Sequence, residues 1–178
     1  MKNIKYYNTF VGESIRHFLK PKPKDKVIKD VINNNEMSPN DKLINGCKFG
    51  IIEIVKYAIS QGADMTMTYD WPIRLAADYN NTEVVKYLLT FNEVDPSAFD
   101  NSVFKLDCKH NNMELVRILL KDNKVDPTDN IIWNLSNLKK LKNYSLIRFL
   151  LKDDRIKKSL KNDQYDLFVD FLRKKPKN

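Results

Sequence analysis

Cysteine and histidine are where a small chain most often hides its chemistry, and this one carries His17, Cys47, Cys108 and His110. A reactive thiol needs a base or a positive field beside it, and a zinc site needs several ligands at close spacing. Neither pattern is present. Cys47 and Cys108 lie 61 residues apart, and the two histidines share no ligand spacing with each other or with the cysteines. No G-x-S-x-G, H-E-x-x-H or phosphate-cradling glycine loop occurs, and Gly12, Gly46, Gly50 and Gly62 are scattered. With no nucleophile to pair with a base, the residues imply neither catalysis nor a cofactor nor a metal.

Charge is the next candidate for chemistry. The chain of 178 residues has a formal net charge of +8, which invites a phosphate-binding reading. Its distribution argues otherwise for most of the length. Residues 1–30 hold eight Lys and Arg against three Asp and Glu, and so do residues 155–178, whereas residues 31–154 hold fifteen against seventeen. The basicity therefore belongs to the two ends, and nucleic acid is not the expected partner of the middle. No run approaches the length of a spanning helix, and the N-terminal residues lack the apolar core of a secretory signal. A cytoplasmic location is the expectation.

The elements that would position any site are visible in the chain's internal repetition. Glu83 to Pro96 reads EVVKYLLTFNEVDP and Glu114 to Pro127 reads ELVRILLKDNKVDP, with eight identities at an offset of 31. Glu53 opens a related stretch, EIVKYAISQGADM, and Ser145 another, SLIRFLLKDDRIK. Within each, apolar residues such as Val84, Val85, Leu88 and Leu89 fall on one face of a helix, roughly 140° wide. A shorter helix is predicted ahead of each, over Asp41–Phe49, Trp71–Tyr79, Ser102–His110 and about Ile132–Leu141. Asn, Gly or Lys links join each pair, and Asp-Pro or Gly-Ala-Asp turns follow it. A two-helix unit of this size cannot bury its apolar faces alone, so the units must stack into an all-α solenoid.

These units resemble ankyrin repeats, in the divergent style common in large DNA viruses and some amoebal genomes. DWPIRLAADYNNTEVVKYLLTFNEVDPS and DNSVFKLDCKHNNMELVRILLKDNKVDPT carry the resemblance most clearly, with LINGCKFGIIEIVKYAISQGADM close behind. Ile73, Leu75, Ala76 and Ala77 match the family's first-helix core and small-residue pair. The T-P-L-H helix start survives only as Trp71-Pro72-Ile73-Arg74, and the connection from Asp64 to Trp71 is about three residues short, so the fingers should be stubby. Four repeats are expected, over about 38–64, 65–95, 96–126 and 127–157. Leu138-Lys139 stands where two small residues belong, so the fourth should have a lengthened or shifted first helix. Residues 1–37 read as a divergent N-terminal cap: a helix over Asn8–Lys20, the basic linker LKPKPKDK, then a helix and turn over Val27–Pro39. Residues 158–178 read as a capping helix, Asp163–Lys174, and a basic tail.

The resemblance implies a non-catalytic module, acting as a monomer, that binds a protein partner on the concave face formed by the fingers and the outer side of the first helices. By position that face holds Tyr69, Asp70, Trp71, Arg74 and Asp78 in the second repeat. The third contributes Phe99, Asn101, Ser102, Lys105 and Lys109, and the fourth Ile132, Trp133 and Ser136. Tryptophan, tyrosine and arginine are the side chains that dominate interface energetics. A helix-start tryptophan in a short finger has little room to protrude, so sealing one repeat against the next is the competing role for both rings. If the resemblance places the site in the host cytoplasm or nucleus of a viral protein, that is its implication alone.

Other residues have plainer readings. Both cysteines occupy first-helix positions where a small buried residue packs, two layers apart and too distant for a disulfide. His110 is a solvated link residue. Asp107 is expected to cap a neighbouring finger's N–H groups. The column Lys56, Lys86, Arg117 and Arg148 reads as a solvated ladder balanced by Glu53, Glu83 and Glu114. The alternative function is an electrostatic binder of nucleic acid or anionic membrane through the basic ends. That alternative predicts binding that falls steeply with salt, survives loss of Trp71 and disappears when residues 1–26 and 173–178 are removed; the module predicts the reverse, and a salt titration of the truncated chain separates them.

Overall fold

The computed structural model describes residues 24–174. The chain divides into two compact units at Met37 and Ser38. In the first unit the described part is one helix, α1 (Lys24–Ile32), closed by turns in which Asn33 N–H donates to the Lys29 carbonyl and Asn34 N–H to that of Val31. This helix begins inside the segment expected to be linker: Lys24, Asp25 and Lys26 are helical. The helix expected over Asn8–Lys20 lies outside the described residues.

The second unit opens with α2 (Pro39–Phe49), α3 (Ile52–Ser60), α4 (Met67–Asp78), α5 (Thr82–Leu88), α6 (Ala98–Lys109) and α7 (Met113–Leu119). It continues with α8 (Ile131–Lys140), α9 (Tyr144–Leu150), α10 (Asp154–Ser159) and α11 (Asn162–Arg173). First helices stack in the order α2, α4, α6, α8, and second helices α3, α5, α7 form a neighbouring row. No strand occurs among the described residues. The core is one column of repeated positions: Ile73, Ala76 and Ala77, then Val103, Phe104 and Cys108, facing Val84, Val85 and Leu88, then Leu115, Val116 and Leu119, all buried. Each layer's apolar face is covered only by its neighbours, which is why no single unit is stable alone.

Local chemistry shapes every unit in the same way. Ser38 and Asp41 form a capping box at the start of α2, with Asp41 N–H donating to Ser38 Oγ at 3.2 Å and Ser38 N–H to Asp41 Oδ2 at 3.1 Å. The first helices end on a left-handed residue: Gly50 (φ +68), Asn80 (φ +55), Asn111 (φ +57) and Lys142 (φ +53). A side chain at Gly50 would meet Asn81 Oδ1 at 2.5 Å. The residue after each link reaches back to the preceding repeat. Asn81 Nδ2 donates to the Cys47 and Lys48 carbonyls, Asn112 Nδ2 to Asn80 Oδ1 and Thr82 Oγ1, and Asn143 Nδ2 to Asn111 Oδ1. Asn112 and Asn143 also cap the following helix through Oδ1.

The fingers are more unusual. Each begins at an aspartate, Asp64, Asp95 or Asp126, whose carboxylate accepts from the N–H and hydroxyl of Thr66, Ser97 or Thr128 two residues on. In two of them the chain then makes a left-handed turn of three consecutive residues, Thr68–Tyr69–Asp70 and Phe99–Asp100–Asn101, all with φ between 53° and 58°. Such a conformation costs roughly 1–2 kcal/mol per residue when a Cβ is present, so something must hold it. The side chain at the end of the turn accepts from the next finger: Asp95 N–H donates to Asp70 Oδ1 at 2.9 Å and Asp126 N–H to Asn101 Oδ1 at 3.2 Å. Asn40 starts the series by accepting from Asp64 N–H at 2.7 Å. The outer turns are tied too, with Lys124 Nζ donating to the Asn92 and Val94 carbonyls and Arg155 Nη2 to that of Leu120.

The fourth unit departs from this plan. Its first helix starts at Ile131, two residues ahead of the position that Trp71 and Ser102 occupy, and only Asn130 keeps the left-handed turn. Leu138 fills the place of Ala76 and is buried. After α9 no further finger forms among the described residues. The short helix α10, which sequence reading assigned to the end of a repeat, turns the chain into α11, and α11 packs on α8 and α9 through Phe168 and a Tyr144–Phe171 ring stack at 4.8 Å.

Because Asp70 and Asn101 carry the finger contacts, Asp70→Ala and Asn101→Ala should each destabilise the unit by about 1–3 kcal/mol in urea unfolding. Tyr69→Gly, at an exposed left-handed residue, should be neutral or stabilising by up to about 1 kcal/mol.

Candidate binding face

The starts and outer sides of the first helices converge on two adjacent cavities. The first, of about 340 Å³, lies between α4 and α6 and is lined by Trp71, Arg74, Leu75, Asp78, Phe99, Ser102, Lys105 and Leu106. The second, of about 310 Å³, lies between α6 and α8 and is lined by Cys108, Lys109, Trp133, Asn134, Asn137, Leu138, Lys140 and Leu141. Six of the residues expected on the face thus surround one cavity, Trp71, Arg74, Asp78, Phe99, Ser102 and Lys105, and Lys109 and Trp133 belong to the other. Tyr69 stands at the finger tip, 74% exposed, and Ile132 and the half-buried Ser136 line neither cavity.

Two expectations for individual residues are corrected. Asp70 and Asn101 are buried, and their polar atoms serve the next finger, so they have no side chain to present. The tryptophans do not disappear into the seal between repeats: Trp71 is 40% exposed and Trp133 55%. Each stands at a helix start with one side against the neighbouring layer and the rest forming cavity wall.

Arg74 has a double role. Its Nε donates to the Tyr69 carbonyl at 2.9 Å and its Nη2 to that of Thr68 at 3.0 Å, so the guanidinium satisfies carbonyls of the left-handed turn. The same group lies 4.5 Å above the Phe99 ring of the next repeat. Lys105 Nζ is 3.6 Å from Asp129 Oδ2, a carboxylate that also accepts from Asn101 Nδ2. Lys109 and Lys140 form no ion pair with a described residue.

Four of the residues that sequence reasoning left off this face, Leu75, Leu106, Asn137 and Lys140, are marked by position alone. Leu75, Leu106 and Asn137 are one column at the repeat offset, and Asp78, Lys109 and Lys140 are another. Carrying Asp78 and Lys109 forward by one more repeat leads to Lys140. Asn134 carries no such mark: it occupies the position of Val103, where an apolar residue packs.

Away from this face, three members of the lysine and arginine column are engaged between repeats. Lys86 pairs with Glu83 at 2.9 Å and with Glu114 of the next unit, Lys56 lies over the Tyr87 ring and Arg117 over that of Phe149. Both cysteines are buried free thiols. Burial pushes the Cys47 thiol up to about 12 and that of Cys108 higher still, the latter helped by Asp107, so neither is a nucleophile at neutral pH. Among the described residues no group of three or more His, Cys, Asp or Glu side chains is placed to hold a metal ion.

Asp107 does not cap a finger. It is fully buried and neither carboxylate oxygen has a hydrogen-bond partner, because its helix position faces the core where the preceding repeat has Ala76. Burial alone pushes its carboxyl up from 3.8 to about 8. His110, expected in solvent, is half-buried with Nε2 shielded and unbonded.

A row of helix pairs joined by turned fingers defines a repeat solenoid. A family description, ankyrin repeats in three copies, matches residues 43–131. The chain belongs to the ankyrin-repeat family. No curated protein and no solved structure gives a significant match.

A carboxyl whose proton is held more tightly in the folded than in the unfolded chain supports stability fully below the unfolded value of 3.8 and progressively less as the pH rises to about 8. Stability should therefore fall between about pH 4 and pH 8. Asp107→Ala should flatten that slope and raise stability at pH 8 by about 2–5 kcal/mol in parallel urea titrations; unchanged slopes would show that Asp107 is not the group responsible.

Proposed function

We propose that this chain is a non-catalytic binding module that takes a protein partner on the concave side of the stack, through the two cavities flanking α6. Ankyrin repeats generally mediate protein–protein interaction. The observation that carries the assignment to this face is the division of labour between repeat positions. Residues that recur in kind, such as Asn81, Asn112 and Asn143, hold the stack together. Residues that differ between repeats, Trp71 against Ser102 and Asp78 against Lys109, surround the cavities. Substitution at the second set leaves the core untouched, which is what a recognition surface built on a repeated scaffold requires.

The large side chains there suit the purpose. Trp71, Phe99 and Trp133 remove wide areas from water while holding few rotatable bonds. No described helix is long and apolar enough to cross a membrane. In this reading the module acts as a monomer in a cytosol-like compartment, where its two thiols stay reduced.

Affinity purification from native host cells, quantified by mass spectrometry, tests the face. Trp71→Ala combined with Trp133→Ala should reduce recovery of the partner about tenfold or more, while Lys86→Ala combined with Arg148→Ala on the opposite side should leave it unchanged. Equal recovery by all three chains would remove the concave face from the account.

A further inference from the structure

Ser145 breaks a charge pattern that the other units keep. Glu53, Glu83 and Glu114 are each the second residue of α3, α5 and α7, and Ser145 is the second residue of α9. Three residues further on, every one of these helices carries a cation, Lys56, Lys86, Arg117 or Arg148. The acid and cation columns meet between layers, for Lys86 pairs with Glu83 of its own helix at 2.9 Å and with Glu114 of the next. Between the third and fourth units the acid is missing and its two cations remain. Arg117 reaches across to lie 4.3 Å above the Phe149 ring of α9, and Arg148 forms no ion pair with a described residue. Ser145, Arg148 and Phe149 share one face of α9 by their spacing of three and four.

The hydroxyl is also available. Those of Thr66, Ser97 and Thr128 are spent on the finger aspartates, whereas Ser145 is exposed and its hydroxyl has no partner among the described residues. It follows the α8–α9 link directly, so only that link and the first turn of α9 have to open for an enzyme to reach it. Lys140 and Lys142, five and three residues ahead, are exposed and unpaired with any described residue. A kinase with an acidic substrate groove is matched to such a sequence.

We propose that Ser145 is a phosphorylation site, and that phosphoserine there supplies the missing acid by bridging Arg117 of the third unit and Arg148 of the fourth. In the transfer, Ser145 Oγ attacks the γ-phosphorus of a nucleoside triphosphate held by a protein kinase. The new O–P bond forms as the bond to the β,γ-bridging oxygen breaks, the nucleoside diphosphate leaves, and the hydroxyl proton passes to the kinase's base. The product carries a charge of about −1.5 to −2 and, opposite arginines, makes roughly one to three charge-assisted hydrogen bonds. It therefore ties the layers more firmly than a glutamate would. The tie falls at the junction where Asp107 and Asn134 are buried without partners, which is where the stack has most to gain. The inference is independent of the concave-face reading.

Two measurements test it. Mass spectrometry of the full chain purified from native host cells should find phosphate on the tryptic peptide of residues 143–148, localised to Ser145. Its absence from that peptide, or its presence on Tyr144 alone, would overturn the site. The clamp is read on the full chain with phosphoserine genetically encoded at position 145, by hydrogen exchange of the Ile147 and Leu151 amides, which are bonded within α9. Both should exchange about tenfold more slowly than in the unmodified chain. Arg148→Ala, at an exposed residue with no ion pair to lose, should remove part of that slowing, and Arg117→Ala/Arg148→Ala all of it. Equal slowing with and without the arginines would show that charge at the helix start acts alone and would overturn the clamp; so would no slowing at all.

Discussion

A single hydrogen bond, repeated from layer to layer, sets the geometry on which the rest of the structure depends: a side-chain oxygen at the start of one first helix accepts from the backbone N–H of the aspartate that opens the next finger. Asn40, Asp70 and Asn101 hold Asp64, Asp95 and Asp126 in this way. To place that oxygen correctly, two of the fingers run through three left-handed residues. Asparagine and aspartate, which tolerate the left-handed region, end the two turns, and the strain falls on Thr68, Tyr69 and Phe99 ahead of them. Arg74 completes the arrangement by satisfying the carbonyls that the turn exposes. Fingers held in register fix the starts of the first helices, and those starts are the face with the two cavities.

The same constraint explains where the repetition stops. Ile132 stands at the position of Asn101, and an isoleucine can accept no hydrogen bond, so no further finger can be tied to the fourth unit. The chain turns through α10 and returns as α11, which covers α8 and α9 with Phe168 and Phe171. In α8, which starts at Ile131, Trp133 and Asn134 line the cavity beside α6. Asp107 and Asn134, buried without partners in neighbouring first helices, mark this junction as the least complete part of the core.

Much of this was legible before any coordinates. The helix pairs followed from the spacing of Val84, Val85 and Leu88 and their counterparts, and Gly, Asn or Lys links were expected between them where Gly50, Asn80, Asn111 and Lys142 take positive φ. The burial of both cysteines followed from their place in the repeat. What escaped were roles that depend on through-space partners. An aspartate or asparagine in a loop reads as exposed and available, yet Asp70 and Asn101 are spent on the next finger. Asp107 was given a capping role because buried acids usually have partners, and it has none. The short helix α10 was hidden because KDDRIK continues the repeat's letters after its packing has ended. The column Leu75, Leu106 and Asn137 was present at the repeat offset all along, but its members differ in polarity and so carry no compositional signal.

Hydrogen exchange at three backbone amides tests the central claim most directly. The N–H groups of Asp64, Asp95 and Asp126 lie in surface turns, where amides ordinarily exchange quickly, but each is bonded to a side chain of the preceding helix start. The account predicts protection of all three well above that of neighbouring turn amides, and selective loss at Asp95 when Asp70 is replaced by alanine. Exchange at the rate of an unstructured peptide in the intact chain would contradict it.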